Sequence, residues 1–366
     1  MSKKISVYVR CTSTAPSSYY RILQYLYKIP DVELKINTLL TENQNRYFFN
    51  VKGRKLHLKI LFYFIMITRV TCFLISDLIK KPDILILSKV LIPKVTPTYF
   101  YLILNRIFKR STLIWDFDDH ILNSNQISQK AFKYFTEKSS TIIVTHNYLK
   151  NLISSNFHYK VLTLPTTDGD FIEFSRNLEI KNKRKILFEN EIHLIWVATS
   201  GNLIFLSNIL KYLDLTAKKV KSKFNKQLVL NVVCNLPLRG ETSSLILNNH
   251  TWSKPKAVEC MLNSHIGLMP LTDNEFTRGK GGFKLIQYMS IKLPVIASDI
   301  GFNSKIVDST CGFLVNNETT DWCSSILKII DSFETWNNFS ESSFKRWQDN
   351  FSYEYNYREW DILLKK

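Results

Sequence analysis

Residues 278–298 read RGKGGFKLIQYMSIKLPVIAS, and this order of local signals suits few folds. Glycines and cations are interleaved at its start: Arg278, Gly279, Lys280, Gly281, Gly282. Phe283, Ile286 and Met289 follow at helical spacing. Pro294 then precedes Val295, Ile296 and Ala297, an apolar run short enough to be a buried strand. The predicted order is cationic glycine loop, helix start, short helix, strand. A helix N-terminus carries unpaired N–H groups and partial positive charge. Glycines let an anion approach that backbone, and Arg278, Lys280 and Lys284 add full charges. Such a loop suits a phosphate or diphosphate. A solvated surface loop ahead of an ordinary helix fits the same residues, so the local pattern leaves both readings open.

The rest of the chain repeats the alternation of strand and helix. Strands are predicted at 5–9, 83–87, 112–115, 140–144 and 161–164. Between them, residues 20–26 are predicted to form a helix with a serine cap, 97–109 and 146–153 two more, and 56–79 a markedly apolar, amphipathic one. The polar, charged stretch 168–191 is predicted to link two domains. A second alternation follows, with strands at 192–197, 228–233 and 265–268 and helices at 203–223, 319–331 and 353–364. Alternation of this kind argues for parallel α/β domains, and 366 residues suffice for two. Ligands of open parallel sheets bind beyond the carboxyl ends of the strands. Ser200 and Gly201, just after the strand at 192–197, therefore join the cationic loop as candidates.

Wider context sharpens this. The segments IGLMPL (266–271), GFKLIQYM (282–289), LPVIAS (293–298) and GFLV (312–315) occur in that order over about fifty residues. They resemble the C-terminal domain of bacterial glycosyltransferases of family 4, which are retaining enzymes with the GT-B fold. The resemblance implies an α/β protein of two Rossmann-like domains facing across a cleft, with a C-terminal helix crossing back to the N-terminal domain. It places an acceptor-side domain at 1–170 together with the helix at 351–366, a linker at 171–190 and a nucleotide-sugar domain at 191–350. It implies a nucleotide-diphosphate sugar donor, no required cofactor and no metal. Ser200, Gly201, Arg278, Lys280, Gly281, Gly282, Phe283, Lys284 and Gln287 would bind the donor, with Arg278 and Lys284 acting on the leaving group. The chain departs from the family in two places. Gln287 stands at the family's second Glu, and Gly279 stands eight residues earlier where a first Glu is usual, so Glu275 is the candidate substitute. The usual Arg/Lys pair after the first strand of this domain is replaced by Ala198-Thr199-Ser200-Gly201-Asn202. Phosphate binding then falls on Arg278, Lys280 and Lys284. Arg21 matches a serine-to-arginine spacing near the start of many members.

Asp116-Phe117-Asp118-Asp119 ends the strand at 112–115 and admits several readings. Within the resemblance, Asp118 or Asp119 contacts the acceptor hydroxyl or the transferred sugar. A D-x-D pair also serves as a metal site in the GT-A fold. Asp116 further resembles the nucleophile of haloacid-dehalogenase phosphatases, although His120 stands where they have Thr. A solvated helix cap is the bland alternative. His146 and His158 read as structural or exposed residues, and Trp252 as a candidate neighbour of the nucleobase.

Net charge is +18, and residues 1–175 hold 24 Lys/Arg against 12 Asp/Glu. That excess points to an anionic partner. No zinc-ligand spacing, RNA-binding signature or basic heptad helix accompanies it, which argues against nucleic acid. An anionic membrane surface and a glycan or lipid-linked acceptor remain, with Lys52, Arg54, Lys55 and Lys59 just ahead of or within the apolar 56–79 stretch. The six cysteines are scattered and the polar start reads as a first strand, not a secretory signal. The expected location is cytoplasmic, peripheral on the inner face of the membrane. The expected activity is transfer of a sugar to a bacterial surface glycan or lipid-linked acceptor. A non-catalytic nucleotide- or glycan-binding scaffold and a phosphatase using Asp116 are the alternatives.

Overall fold

The computed structural model describes residues 2–50, 56–171, 173–174, 178–316 and 321–365. Lys52, Arg54 and Lys55 lie outside the described residues. The chain forms two units, Met1–Thr166 with Glu354–Lys366, and Thr167–Tyr353.

The first unit holds a parallel sheet of β1 (Lys3–Val9), β2 (Val32–Thr38), β3 (Ile84–Ser88), β4 (Thr112–Phe117), β5 (Thr141–Val144) and β6 (Val161–Thr163). Its strand order is β2-β1-β3-β4-β5-β6. β3 is buried throughout, as expected of a strand covered on both faces. β2, the edge strand, reads VELKINT and is mostly half-buried, and its mixed polarity hid it from the sequence reading. The helix Leu56–Lys80 buries Phe62, Met66, Val70, Leu74 and Asp77, one face at near-fourfold spacing. Asp77 would be costly to bury alone. It accepts from Ser6 Oγ, Tyr8 OH and Lys35 Nζ, each at 2.6 Å, and so fastens the helix to the sheet. The expected helix at 20–26 is present but begins earlier and has no serine cap: it runs from Pro16–Ser18 through a π-helical turn, Tyr19–Leu23, into Gln24–Leu26. Ala15 precedes it and Pro16 presets its first turn. Ser17 is turned elsewhere, onto Asp118. The expected helix at 146–153 shortens to Asn147–Lys150. The last helix, Tyr353–Lys365, belongs almost wholly to this unit. Trp360 stacks on Tyr25 at 6.4 Å, and Asn356 Nδ2 donates to Tyr25 OH and to the Pro165 carbonyl.

The second unit holds β7 (Glu191–Val197), β8 (Gln227–Cys234), β9 (Ile246–Thr251), β10 (Ile266–Met269), β11 (Val295–Ser298) and β12 (Gly312–Val315). All its pairings are parallel, in the order β12-β11-β10-β7-β8-β9. The strand order reverses between β7 and β10, the place where doubly wound sheets bind ligands. The edge strand β9 is largely exposed and was not foreseen.

Residues 178–190, expected to lie in a linker, form a helix, Leu178–Asn190, that is part of this unit. Its polarity misled because one of its two buried residues, beside Phe188, is an arginine. Arg184 is 2% exposed and donates to the carbonyls of Leu262 at 3.0 Å and Ile291 at 2.9 Å. These carbonyls lie at the ends of the helices Lys254–Leu262 and Phe283–Ser290, where intrahelical partners are lacking. Gly267 in β10 has a separate duty. A Cβ there would stand 2.3 Å from Tyr288 Cδ2. Glycine thus lets Tyr288 cross β10, and its hydroxyl takes the Val197 N–H at 3.0 Å. This fixes the helix Phe283–Ser290 against the end of β7.

Candidate active site

In the second unit, the cationic loop closes over the β7–β10 crevice. Gly282 is the residue before the helix Phe283–Ser290 and has φ of 61°. A side chain there would be strained and would meet Ile306 Cδ1 at 2.1 Å. No side chain caps this helix start. Gly281 and Phe283 are half-buried beside it. Lys280 Nζ donates to Asn202 Oδ1 at 2.9 Å, so the cationic loop reaches the loop that follows β7. That loop carries Ser200 and Gly201. Ser200 N–H donates to Asn235 Oδ1 at 2.8 Å, and Asn235 Nδ2 returns a bond to Ser200 Oγ. A Cβ on Gly201 would meet no atom within 4 Å. The ends of β7 and β8 and the loop before the helix at 283 are therefore tied together at the crevice.

Lys284 lies one residue inside the helix. Its ammonium donates to Gln287 Oε1 at 2.6 Å, and Gln287 Nε2 donates to Asp168 Oδ2 at 2.6 Å. Asp168 is 1% exposed and also accepts the Asp170 N–H. Burial pushes its carboxyl above the ordinary range, with Gln287 working the other way. Burial pushes the Lys284 ammonium down to about 8, and the charge of Asp168 opposes that. Burial thus disfavours the charge of Lys284, and an anion bound beside it would favour that charge. Gln287 is the link in this relay, a role that a second carboxylate beside Asp168 would fill less readily.

Arg278 is placed differently from Lys280 and Lys284. Its guanidinium forms a two-point pair with Asp273, Nε to Oδ1 and Nη2 to Oδ2, both 2.7 Å, at an exposed position. Glu275 begins the short helix Glu275–Arg278 and is exposed. Trp252 is also exposed, immediately after β9.

The first unit gathers a second cluster at the carboxyl ends of β1, β3 and β4. Asp116, with no exposed surface, is held by Arg21 through Nε and Nη2. Arg21 also donates to the Leu164 carbonyl. Burial raises the Asp116 carboxyl and Arg21 counteracts it. A nucleophilic carboxylate must be reachable, so this burial argues against the phosphatase reading. Lys89, just past β3, reaches Asp118 Oδ1 and Asp119 Oδ2, each at 2.6 Å. Ser17 Oγ donates to Asp118 Oδ2 at 2.7 Å. Burial works against ionisation of Asp118, yet Lys89 and Arg21 hold its carboxyl below the ordinary value. Asp118 and Asp119 are acceptors organised around one lysine. Among the described residues, no three His, Cys, Asp or Glu side chains are grouped to hold a metal ion.

Sequence reasoning missed Lys89, Asp168, Asn202 and Asn235. Asn202 follows Ser200-Gly201 directly and was within reach of a pattern argument. The other three give no local signal, because their partners lie far along the chain.

Two units with six-stranded parallel sheets, the second in doubly wound order, and a final helix belonging to the first unit define the architecture. The fold is GT-B. Solved structures agree. The chain superposes on a glycosyltransferase from Rickettsia africae with TM-score 0.61 and 13% identity, covering 99% of this chain and 98% of that one. It superposes on Anabaena HepE, solved with UDP and glucose, with TM-score 0.63 and 11% identity, covering 99% of both. For TarM the values are 0.52 and 15%, and this chain, 81% of it aligned, spans 58% of that longer protein. Residues 201–332 match the family model described as Glycosyl transferases group 1. That segment contains Gly201, Asn202 and the whole cationic loop of the GT-B second unit. No curated protein sequence matches the chain.

Proposed function

We propose that this protein is a retaining, metal-independent glycosyltransferase that takes a nucleotide-diphosphate sugar as donor. The acceptor would be a bacterial surface glycan or a lipid-linked glycan. The observation that carries the reading is the bond from Lys280 to Asn202, which ties the cationic loop to the β7 loop at the reversal of strand order. It lies inside the segment that matches group 1 glycosyl transferases. In the reaction, the bond between the anomeric carbon and the diphosphate oxygen breaks. The acceptor oxygen bonds to that carbon on the same face, and its proton passes to the departing diphosphate oxygen. Negative charge grows on the departing diphosphate. Lys280, Lys284 and the uncapped helix start after Gly282 supply fixed positive charge for it. Ser200 and Gly201 would lie along the nucleotide's phosphates. Asp118 and Asp119 would accept a hydroxyl of the acceptor or of the transferred sugar. With Arg278 paired to Asp273, it ranks behind the two lysines for the leaving group.

Thermal melts against a panel of nucleoside diphosphates and their sugars, in excess EDTA, test the reading. The expected result is stabilisation by one nucleotide class, followed by EDTA-resistant release of the nucleoside diphosphate and an axial or equatorial product matching the donor. Binding with neither transfer nor donor hydrolysis would favour the non-catalytic scaffold. Activity lost in EDTA and restored by Mn²⁺ or Mg²⁺ would overturn the metal-independent mechanism.

A further inference from the structure

The helix Leu56–Lys80 has two unlike faces. One is fastened to the sheet through Met66, Val70, Leu74 and the Asp77 network. The other is apolar and open to solvent. Leu56, Ile60, Phe64, Ile75 and Ile79 are all exposed, Phe64 by 67% and Ile79 by 72%. Their spacings of four, four, eleven and four return to one side of an α-helix. Only 22% of the helix's most apolar window is buried, whereas a core helix would be mostly covered. Leu102, 59% exposed on the helix Thr98–Ile107, extends the patch. The two helices are joined by Thr71 Oγ1 and Tyr99 OH at 2.8 Å. Along the first helix the stripe runs about 35 Å, at about 1.5 Å per residue. Thr68, Thr71 and Cys72 lie between Phe64 and Ile75, so the stripe is two apolar clusters with a small polar centre, and exposed apolar clusters of this kind mark an interaction site.

Charge identifies the partner. Residues 56–110 hold nine Lys/Arg against two Asp/Glu. Both carboxylates are engaged, Asp77 in the core and Asp83 on the Lys4 N–H. Exposed cations flank the stripe, with Lys59 near one end, Lys80 and Lys81 at the other, and Arg106, Lys109 and Arg110 ending the neighbouring helix. A second copy docking on this face would bring the same cations together across a twofold interface. An anionic lipid surface instead satisfies both components, taking the apolar side chains below the headgroups and the cations among them. Although the helix is long and apolar enough to cross a bilayer, its buried face and Asp77 belong to the domain core. We propose that this face, built by Leu56–Lys80 and Thr98–Ile107, lies flat in the surface of an anionic membrane.

Co-sedimentation of the full chain with vesicles tests this. Phosphatidylcholine vesicles containing phosphatidylglycerol should bind the protein, with affinity falling as salt rises, and phosphatidylcholine alone should bind it weakly. Phe64→Glu with Ile75→Glu should lower binding about tenfold or more. Lys80→Glu with Lys81→Glu should do the same on anionic vesicles only. Circular dichroism melts show whether the variants fold. Phe64→Trp keeps the test independent of that, since its added fluorescence should shift to the blue on binding and be quenched by brominated lipid beyond the wild-type level. Sedimentation without that quenching overturns the assignment. So does a concentration-dependent dimer that Phe64→Glu dissolves and vesicles leave intact. Salt-resistant binding released only by detergent overturns the surface geometry in favour of insertion.

Discussion

Replacing Lys284 by methionine removes a charge and keeps most of the side chain's volume. In the unliganded protein, burial holds Lys284 at about 8 against an ordinary 10.5. That gap sets an upper bound of about 3 kcal/mol on what the cation costs the unliganded fold. Loss of the bond to Gln287 offsets about 1 kcal/mol of the gain. Lys284→Met should therefore melt no lower than wild type. Between about 8 and 10.5 the unfolded wild-type chain retains a proton that the folded chain has released, so its stability rises with pH across that window. The rise should be missing in the variant. Donor binding runs in the opposite sense. A diphosphate favours the charged amine, so affinity should fall as pH passes about 8. Loss of one fixed charge facing a leaving group should lower kcat/KM by about 10²–10³. The assay is kcat/KM for transfer from about pH 6 to about pH 10, run beside thermal melts. Lys284→Arg should retain activity on the alkaline side, because its charge persists there. Lys345→Met, which removes an exposed cation paired with Asp349, serves as the control. Wild-type kcat/KM in Lys284→Met at every pH would refute the leaving-group assignment, and a much lower melting temperature would make Lys284 a structural residue.

Two further substitutions probe the supporting groups. Asp168→Asn withdraws the charge that raises Lys284, so the alkaline fall in kcat/KM should move to lower pH, with about tenfold loss near neutrality; an unmoved pH profile would mean that Asp168 only packs. Asp116→Asn leaves Arg21 buried beside a neutral partner and should cost about 3–5 kcal/mol in denaturant titration, whereas an unchanged midpoint would show that the pair contributes nothing to the fold.

Local patterns in the chain declared the alternation of strands and helices, because period and apolar run length are properties of neighbouring residues. The strand at 295–298, the glycine loop and the following helix were legible for that reason, whereas the place of the last helix was implied by the family resemblance alone. Edge strands β2 and β9 were not, since a strand half open to water need not be apolar. Nor was the helix Leu178–Asn190, whose buried face depends on Arg184 finding carbonyls 78 and 107 residues away. The same limit divides the candidate site. Gly282 and Lys284 announce themselves by sequence, because a left-handed turn and a helix start are local events. That Lys280 meets Asn202, that Lys89 holds Asp118 and Asp119, and that Gln287 leans on Asp168 were decided by the tertiary structure alone. The first two join the ends of different strands, which a parallel sheet brings together only after the intervening helices have packed, and the third joins the inside of a helix to a residue 119 positions away.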